Sequence, residues 1–169
     1  MTPSPAVFVA LGTNLGDREK NLARGVRGLT ERGLRITAKS SVYETEPVGG
    51  PAQGAYLNAV VRAETALDAE GVLASCLGVE REAGRVRGAR NAARTLDLDL
   101  LLYGDLVARR PGLTVPHPRM HERRFVLVPL QEIAPAARHP VLGLTVAEMT
   151  AACPDRSAVA VYGPPGLLG

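Results

Sequence analysis

Five apolar residues, Val7 to Leu11, precede Gly12, a pattern that predicts a short buried strand. Asp17 can cap a helix whose apolar positions Leu22, Val26 and Leu29 recur at spacings of four and three, and Gly33 ends it. Ile36 to Glu44 is rich in Thr, Val and Tyr, and Tyr56 to Glu64 alternates. Both read as strands, joined by a loop from Thr45 to Ala55 that contains Pro47, Gly49, Gly50, Pro51 and Gly54. Asp68 opens a second helical pattern with the stripe Val72, Leu73, Cys76 and Leu77, closed by Ala83 and Gly84. After a polar, arginine-dense loop from Arg85 to Arg94, the leucines at 96, 98, 100 and 102 predict a strand from Leu96 to Tyr103 with all four on one face, turned by Gly104 and Asp105. Pro111 to Pro118 reads as extended, and Phe125 to Ile133 as a short helix interrupted near Pro129. The tail, residues 157–169, holds the apolar run Ala158 to Tyr162, of open structure, and its last residues read as disordered. The order strand, helix, two strands, helix, strand points to an α+β fold, a ferredoxin-like sandwich with a mostly antiparallel sheet and helices packed on one face. With no internal repeat and no linker, the 169 residues read as one domain with its core at about residues 7–152.

Hydrophobic residues make up 46% and charged residues 22% of the chain, which excludes a disordered or fibrous protein. Aromatics are only 4%, with no Trp, so the core is aliphatic and an exposed aromatic ring is a candidate for function. The formal charge is +3, and only Lys20 and Lys39 of the 20 basic residues are lysines. The rest are arginines, whose planar fork holds phosphate oxygens in pairs, so an anionic partner is expected. Cys76 and Cys153 are too few and too far apart for a disulfide framework. No segment approaches the roughly 18 apolar residues of a membrane span, and Met1 to Pro5 lacks a charged region leading into an apolar one. A cytoplasmic protein with no membrane partner is the expectation.

Asp97 and Asp99 interrupt the leucine-rich strand. Asp is depleted in strands, yet here it occurs twice on one face, about 7 Å apart, a spacing at which two carboxylates share one or two hard cations such as Mg²⁺. A solvated outer face of the strand is the alternative. Arg85, Arg87, Arg90 and Arg94 come just before, and a second basic group, Arg119, Arg123 and Arg124, follows His117. These are either solvated charge clusters or, with an acid-held metal, the donors that polyphosphate transfer needs. The segment Gly12-Thr13-Asn14-Leu15-Gly16 fits neither the P-loop nor the dinucleotide spacing. His117 and His121 are four apart, but Pro116 and Pro118 disfavour a helix at His117 and no further ligand is near, so His117 is read as a hydrogen-bond donor to phosphate rather than a zinc ligand. Tyr56 and Asn58 share a strand face, where they either stack on and hydrogen-bond a planar heterocycle or close the edge of the core.

The run Arg90-Asn91-Ala92-Ala93-Arg94-Thr95-Leu96-Asp97-Leu98-Asp99-Leu100-Leu101 resembles the signature of the 6-hydroxymethyl-7,8-dihydropterin pyrophosphokinase family of folate biosynthesis. Supporting segments are Ala10 to Asp17, Tyr56-Leu57-Asn58, Gly84-Arg85-Val86-Arg87, Leu113 to Pro118 and Arg123-Arg124-Phe125, in the family's order and over roughly Val7 to Ala152. The resemblance implies a monomer that transfers the β,γ-diphosphate of ATP to the pterin's hydroxymethyl oxygen and releases AMP. Asp97 and Asp99 would hold two Mg²⁺ ions; Arg85, Arg87, Arg94, His117 and Arg123 would contact ATP; Leu73, Glu80 and Thr114 would line its nucleoside pocket. The pterin would lie between Tyr56 and Phe125, with Asn58 and the backbone from Thr45 to Val48 on its polar edge. Asp97 could accept the hydroxyl proton late. The segment Arg85 to Ala93, rich in small residues and with arginines that repel one another without an anion, is expected to be mobile in the free protein and to close over bound ATP and pterin. Relatives often carry Trp where Asn91 stands and a basic residue where Gly112 stands, which leaves Arg109 or Arg110 as substitutes.

Two rivals come from other classes. An RNA-binding module of ferredoxin-like fold would stack bases on several sheet aromatics, and only six aromatics exist here, beside two acids that repel RNA. A metal-dependent nucleotidyl transferase with the same Asp pair would release inorganic diphosphate instead of AMP.

Overall fold

The computed structural model describes residues 4–46, 54–84 and 95–169. Strand β1 (Val7–Thr13) buries Val7, Val9 and Leu11 on one face and Phe8 on the other, so it must lie between two apolar layers. It pairs antiparallel with β4 (Tyr56–Glu64) on one side and β5 (Asp97–Tyr103) on the other. The far edge of β4 takes β2 (Arg35–Lys39) and β3 (Val42–Thr45), and β3 pairs in turn with β8 (Ala160–Gly163).

One layer is formed by α1 (Arg18–Glu31) and α2 (Ala69–Glu82). Asp17 caps α1 by accepting from the Lys20 N–H at 3.1 Å, and Asp68 caps α2 by accepting from the Gly71 N–H at 2.8 Å, as their positions before each apolar stripe predict. Leu22, Val26 and Leu29 of α1 meet Val72, Cys76 and Val79 of α2 over the sheet. The helices approach closely at Gly28, where a Cβ would stand 2.9 Å from both methyls of Val79. The opposite face of the sheet is covered by α3 (Arg124–Ile133) and α4 (Val146–Ala152), which bury Val126, Leu127, Leu130, Val146 and Met149 against Phe8 and Val60. The α+β architecture with a mostly antiparallel sheet stands as expected, but the helices are not confined to one face: α3 and α4 of the C-terminal half cover the side opposite α1 and α2.

Several local expectations change. Leu102 does not share a face with Leu98 and Leu100: Val9 pairs with Leu100 and Phe8 with Leu102, so Leu101 is an extra residue in the β5 ladder, and this bulge sends Leu102 to the α3 side. The single strand read from Ile36 to Glu44 is broken at Ser40 and Ser41. The Ser40 hydroxyl takes the Val60 N–H at 2.9 Å and Ser41 turns to Glu132 of α3. On α2 the buried stripe is Val72, Cys76 and Val79, with Leu73 and Leu77 only half-buried. Helix α3 runs through Pro129 without interruption: although proline removes one N–H, Pro129 is buried with Val126, Leu127 and Leu130 on the packed face. Pro111 to Pro118 is not simply extended: β6 (Ala108–Arg110) and β7 (Leu113–Val115) form a hairpin turned at Gly112, whose φ of 82° suits glycine. The tail is ordered, with β8 on the sheet and Leu168 1% exposed. Among the described residues no helix is long and apolar enough to cross a membrane.

Candidate active site

The register of the sheet builds the site. Gly12 pairs with Asp97 on one side and with Asn58 on the other, and Ala10, two residues earlier on the same face, pairs with Asp99. Two half-buried carboxylates and a buried amide therefore stand over a floor of glycine and alanine. A Cβ at Gly12 would lie 3.2 Å from the Asn58 Oδ1, so the floor is clear only because residue 12 has no side chain. Asn58 is oriented by donating from Nδ2 to the Thr45 Oγ1 at 2.7 Å, with both residues buried, which turns its carbonyl oxygen over Gly12.

Above this floor lies a cavity of about 540 Å³. Asp97, Asp99, Thr45, Tyr56, Asn58, Arg123 and Phe125 all line it. Phe125 enters from the first turn of α3, and the Arg123 guanidinium lies 5.8 Å from the centre of its ring. Five carboxylates, Glu46, Asp97, Asp99, Glu122 and Asp155, face two guanidiniums, Arg119 and Arg123, among the described lining residues. That excess of negative charge suits a bound cation better than a bare polyphosphate.

His117 sits beside the cavity, its N–H donating to the Leu101 carbonyl at 2.9 Å. Burial, together with the charges of Arg123 and Arg119 and against that of Asp97, pushes its pKa down to about 4. The ring is neutral at pH 7, and its Nδ1 accepts the backbone Arg119 N–H at 3.2 Å, so Nε2 carries the proton and is a donor. Cys76 is inert: burial, then the charges of Glu80 and Asp99, pushes its thiol up to about 12, and both cysteines are free and buried.

Other expected residues lie away from the cavity. Leu73 packs half-buried against the core, and Thr114 is exposed on β7 directly opposite Arg109. Arg110 pairs with Glu70, which leaves Arg109 as the cation beside Thr114. Glu80 is 3% exposed and its Oε2 accepts the Leu98 N–H at 2.8 Å, holding the edge strand between the two aspartates. Val48, Arg85, Arg87, Asn91 and Arg94 lie outside the described residues, and so does the expected loop closure. Sequence reasoning missed the side chain of Glu46, whose backbone it includes, and Glu122, Asp155 and Ser157 altogether as cavity residues. Arg119 was visible within the second basic group, but the other four follow no spacing rule that would connect them to the Asp pair.

A family model described as 7,8-dihydro-6-hydroxymethylpterin-pyrophosphokinase matches residues 8–135. The 2-amino-4-hydroxy-6-hydroxymethyldihydropteridine pyrophosphokinase of Bacillus subtilis is 44% identical over 127 residues, 75% of this chain and 76% of that protein. The folic acid synthesis protein fol1 of Pneumocystis carinii is 37% identical over 142 residues, 84% of this chain but 19% of that protein. Among solved structures, the wild-type Plasmodium falciparum HPPK-DHPS with pteroate matches with a TM-score of 0.70 at 16% identity, over 88% of this chain and 42% of that one, a likeness of fold. The chain thus spans about a fifth of the fungal relative and under half of the structural neighbour.

Proposed function

The chain belongs to the 7,8-dihydro-6-hydroxymethylpterin-pyrophosphokinase family, and on that premise we propose that it transfers the β,γ-diphosphate of ATP to the hydroxymethyl group of 6-hydroxymethyl-7,8-dihydropterin. The observation that carries the proposal is the row Asp97, Gly12, Asn58 under one cavity, which sets a carboxylate pair beside an amide and two aromatic rings. Tyr56 and Phe125 stack on the pterin, Asn58 reads its amide edge with Thr45 and Val48, and Arg123 and His117 meet the phosphates together with Arg85, Arg87 and Arg94. For the nucleoside the exposed Thr114 is the contact outside this cavity, with Leu73 half-buried behind, and Glu80 acts from beneath by holding the Leu98 N–H between the two aspartates.

Asp97 and Asp99 fit a hard cation as two carboxylates on one face; since no group of three His, Cys, Asp or Glu residues suited to a metal occurs among the described residues, phosphate oxygens and water would have to complete the shell. Two Mg²⁺ ions there would neutralise the phosphate charge. The hydroxymethyl oxygen attacks the β-phosphorus, the bond from that phosphorus to the α,β-bridging oxygen breaks, AMP departs with the oxygen, and the hydroxyl proton passes to Asp97. The chain supplies position and charge rather than a covalent intermediate. Action as a monomer is part of the same proposal and follows from the family resemblance, and two free, buried cysteines suit the reducing cytoplasm.

Product analysis tests the proposal. With ATP, Mg²⁺ and the hydroxymethyl pterin, AMP and a pterin diphosphate should form in equal amounts. Inorganic diphosphate with a nucleotidylated product would indicate a nucleotidyl transferase instead.

A further inference from the structure

Helix α3 has no cap of its own. Arg123, at its N-terminal boundary, makes no capping bond, and the first turn holds no acidic residue. This is nevertheless the helix that carries Phe125 into the cavity, with Arg123 just before it. The missing cap comes from 31 residues downstream: the Asp155 Oδ2 accepts the Arg124 N–H at 3.1 Å. The other oxygen, Oδ1, accepts the Ser157 N–H at 2.9 Å, which fixes the carboxylate from its own segment. Burial pushes the Asp155 carboxyl up, but the bonds from Ser157 and from the Arg124 N–H outweigh it and hold the group below the usual range, so it is charged at neutral pH. Cys153, two residues earlier, is buried beneath α4 and α3 and anchors the segment.

We propose that Asp155 is a positioning residue for the aromatic wall of the site: by holding the backbone at Arg124 it fixes the directions in which Arg123 and Phe125 enter the cavity. The role falls outside residues 8–135, the span that the family model matches. It makes the C-terminal segment part of the binding site. The pterin reading is needed only to supply the ligand that reports on the wall.

Asp155→Ala should weaken hydroxymethyl pterin binding about tenfold, the scale of one lost helix cap, and weaken MgATP binding by less, through Arg123 on the same stretch of backbone. In a Phe125→Ala background the same change should add nothing, because the wall it positions is gone. Asp155→Asn keeps one acceptor oxygen, should fall between, and carries the same comparison if the alanine variant does not fold. Unchanged pterin affinity, or an equal loss in both backgrounds, would overturn the proposal. If the unmodified protein binds no pterin, the substrate reading alone falls, and amide exchange decides: faster exchange at Arg124 and Phe125 in the variant supports the positioning role, and unaltered protection overturns it.

Discussion

Asp97 and Asn58 stand two strands apart in one row of the sheet with only Gly12 between them. Two strand spacings set their backbones roughly 10 Å apart, so a carboxylate suited to a cation and an amide suited to a heterocycle stand in one row without touching. Gly12→Ala would place a methyl 3.2 Å from the Asn58 Oδ1. Its backbone is unstrained, so the fold should survive. Pterin affinity should fall on the order of tenfold, less than the about 10²-fold cost of a full 1 Å displacement of a reacting group; calorimetry with each ligand checks this, and an unaltered pterin affinity would contradict it.

The two rings lining the cavity give a second expectation. Tyr56→Ala or Phe125→Ala should each cost roughly 1–3 kcal/mol of pterin binding, the scale of stacking on a heterocycle. ATP binding should change less. Variants that lose ATP affinity and keep pterin affinity would put the aromatic wall at the wrong substrate.

His117 predicts a pH dependence. Its folded pKa of about 4 lies below the ordinary 6.5, so the folded state prefers the neutral ring and the unfolded chain binds the proton first. The stabilisation is fully present above pH 6.5 and is lost as pH falls from 6.5 towards about 4. His117→Gln should therefore lose less stability than the unmodified protein between pH 7 and the lower end of that window, measured by denaturant unfolding. Equal losses would contradict the assignment. His139, whose pKa is lowered by burial and then by His121, acts in the same direction and is present in both proteins.

Much of this architecture could be read from local pattern. Asp17 and Asp68 lie directly before apolar stripes and do cap α1 and α2, and the spacing of Asp97 and Asp99 does place both over the cavity. What escaped depends on partners distant in sequence. The reversal of Leu102 is set by the ladder with β1, where Phe8 takes Leu102 and Leu101 is left over. The break at Ser40 and Ser41 is set by Val60 and by Glu132, which also accepts the Tyr43 hydroxyl at 2.6 Å. β8 alternates too briefly to announce itself and forms only because β3 offers it an edge. Asp155 carries no local signal, because the N–H it caps lies 31 residues away.

The central claim is that Asp97 and Asp99 hold the cation through which ATP is bound for diphosphate transfer. The most direct test is pterin-dependent AMP release at saturating Mg²⁺ by the unmodified protein and by Asp97→Asn and Asp99→Asn, with folding verified by circular dichroism. The unmodified protein should release AMP only when pterin is present, and each variant, folded but missing one carboxylate charge, should be slower by about 10²-fold or more, the scale of a lost preorganised charge contact. Near-normal AMP release by both variants would contradict the claim.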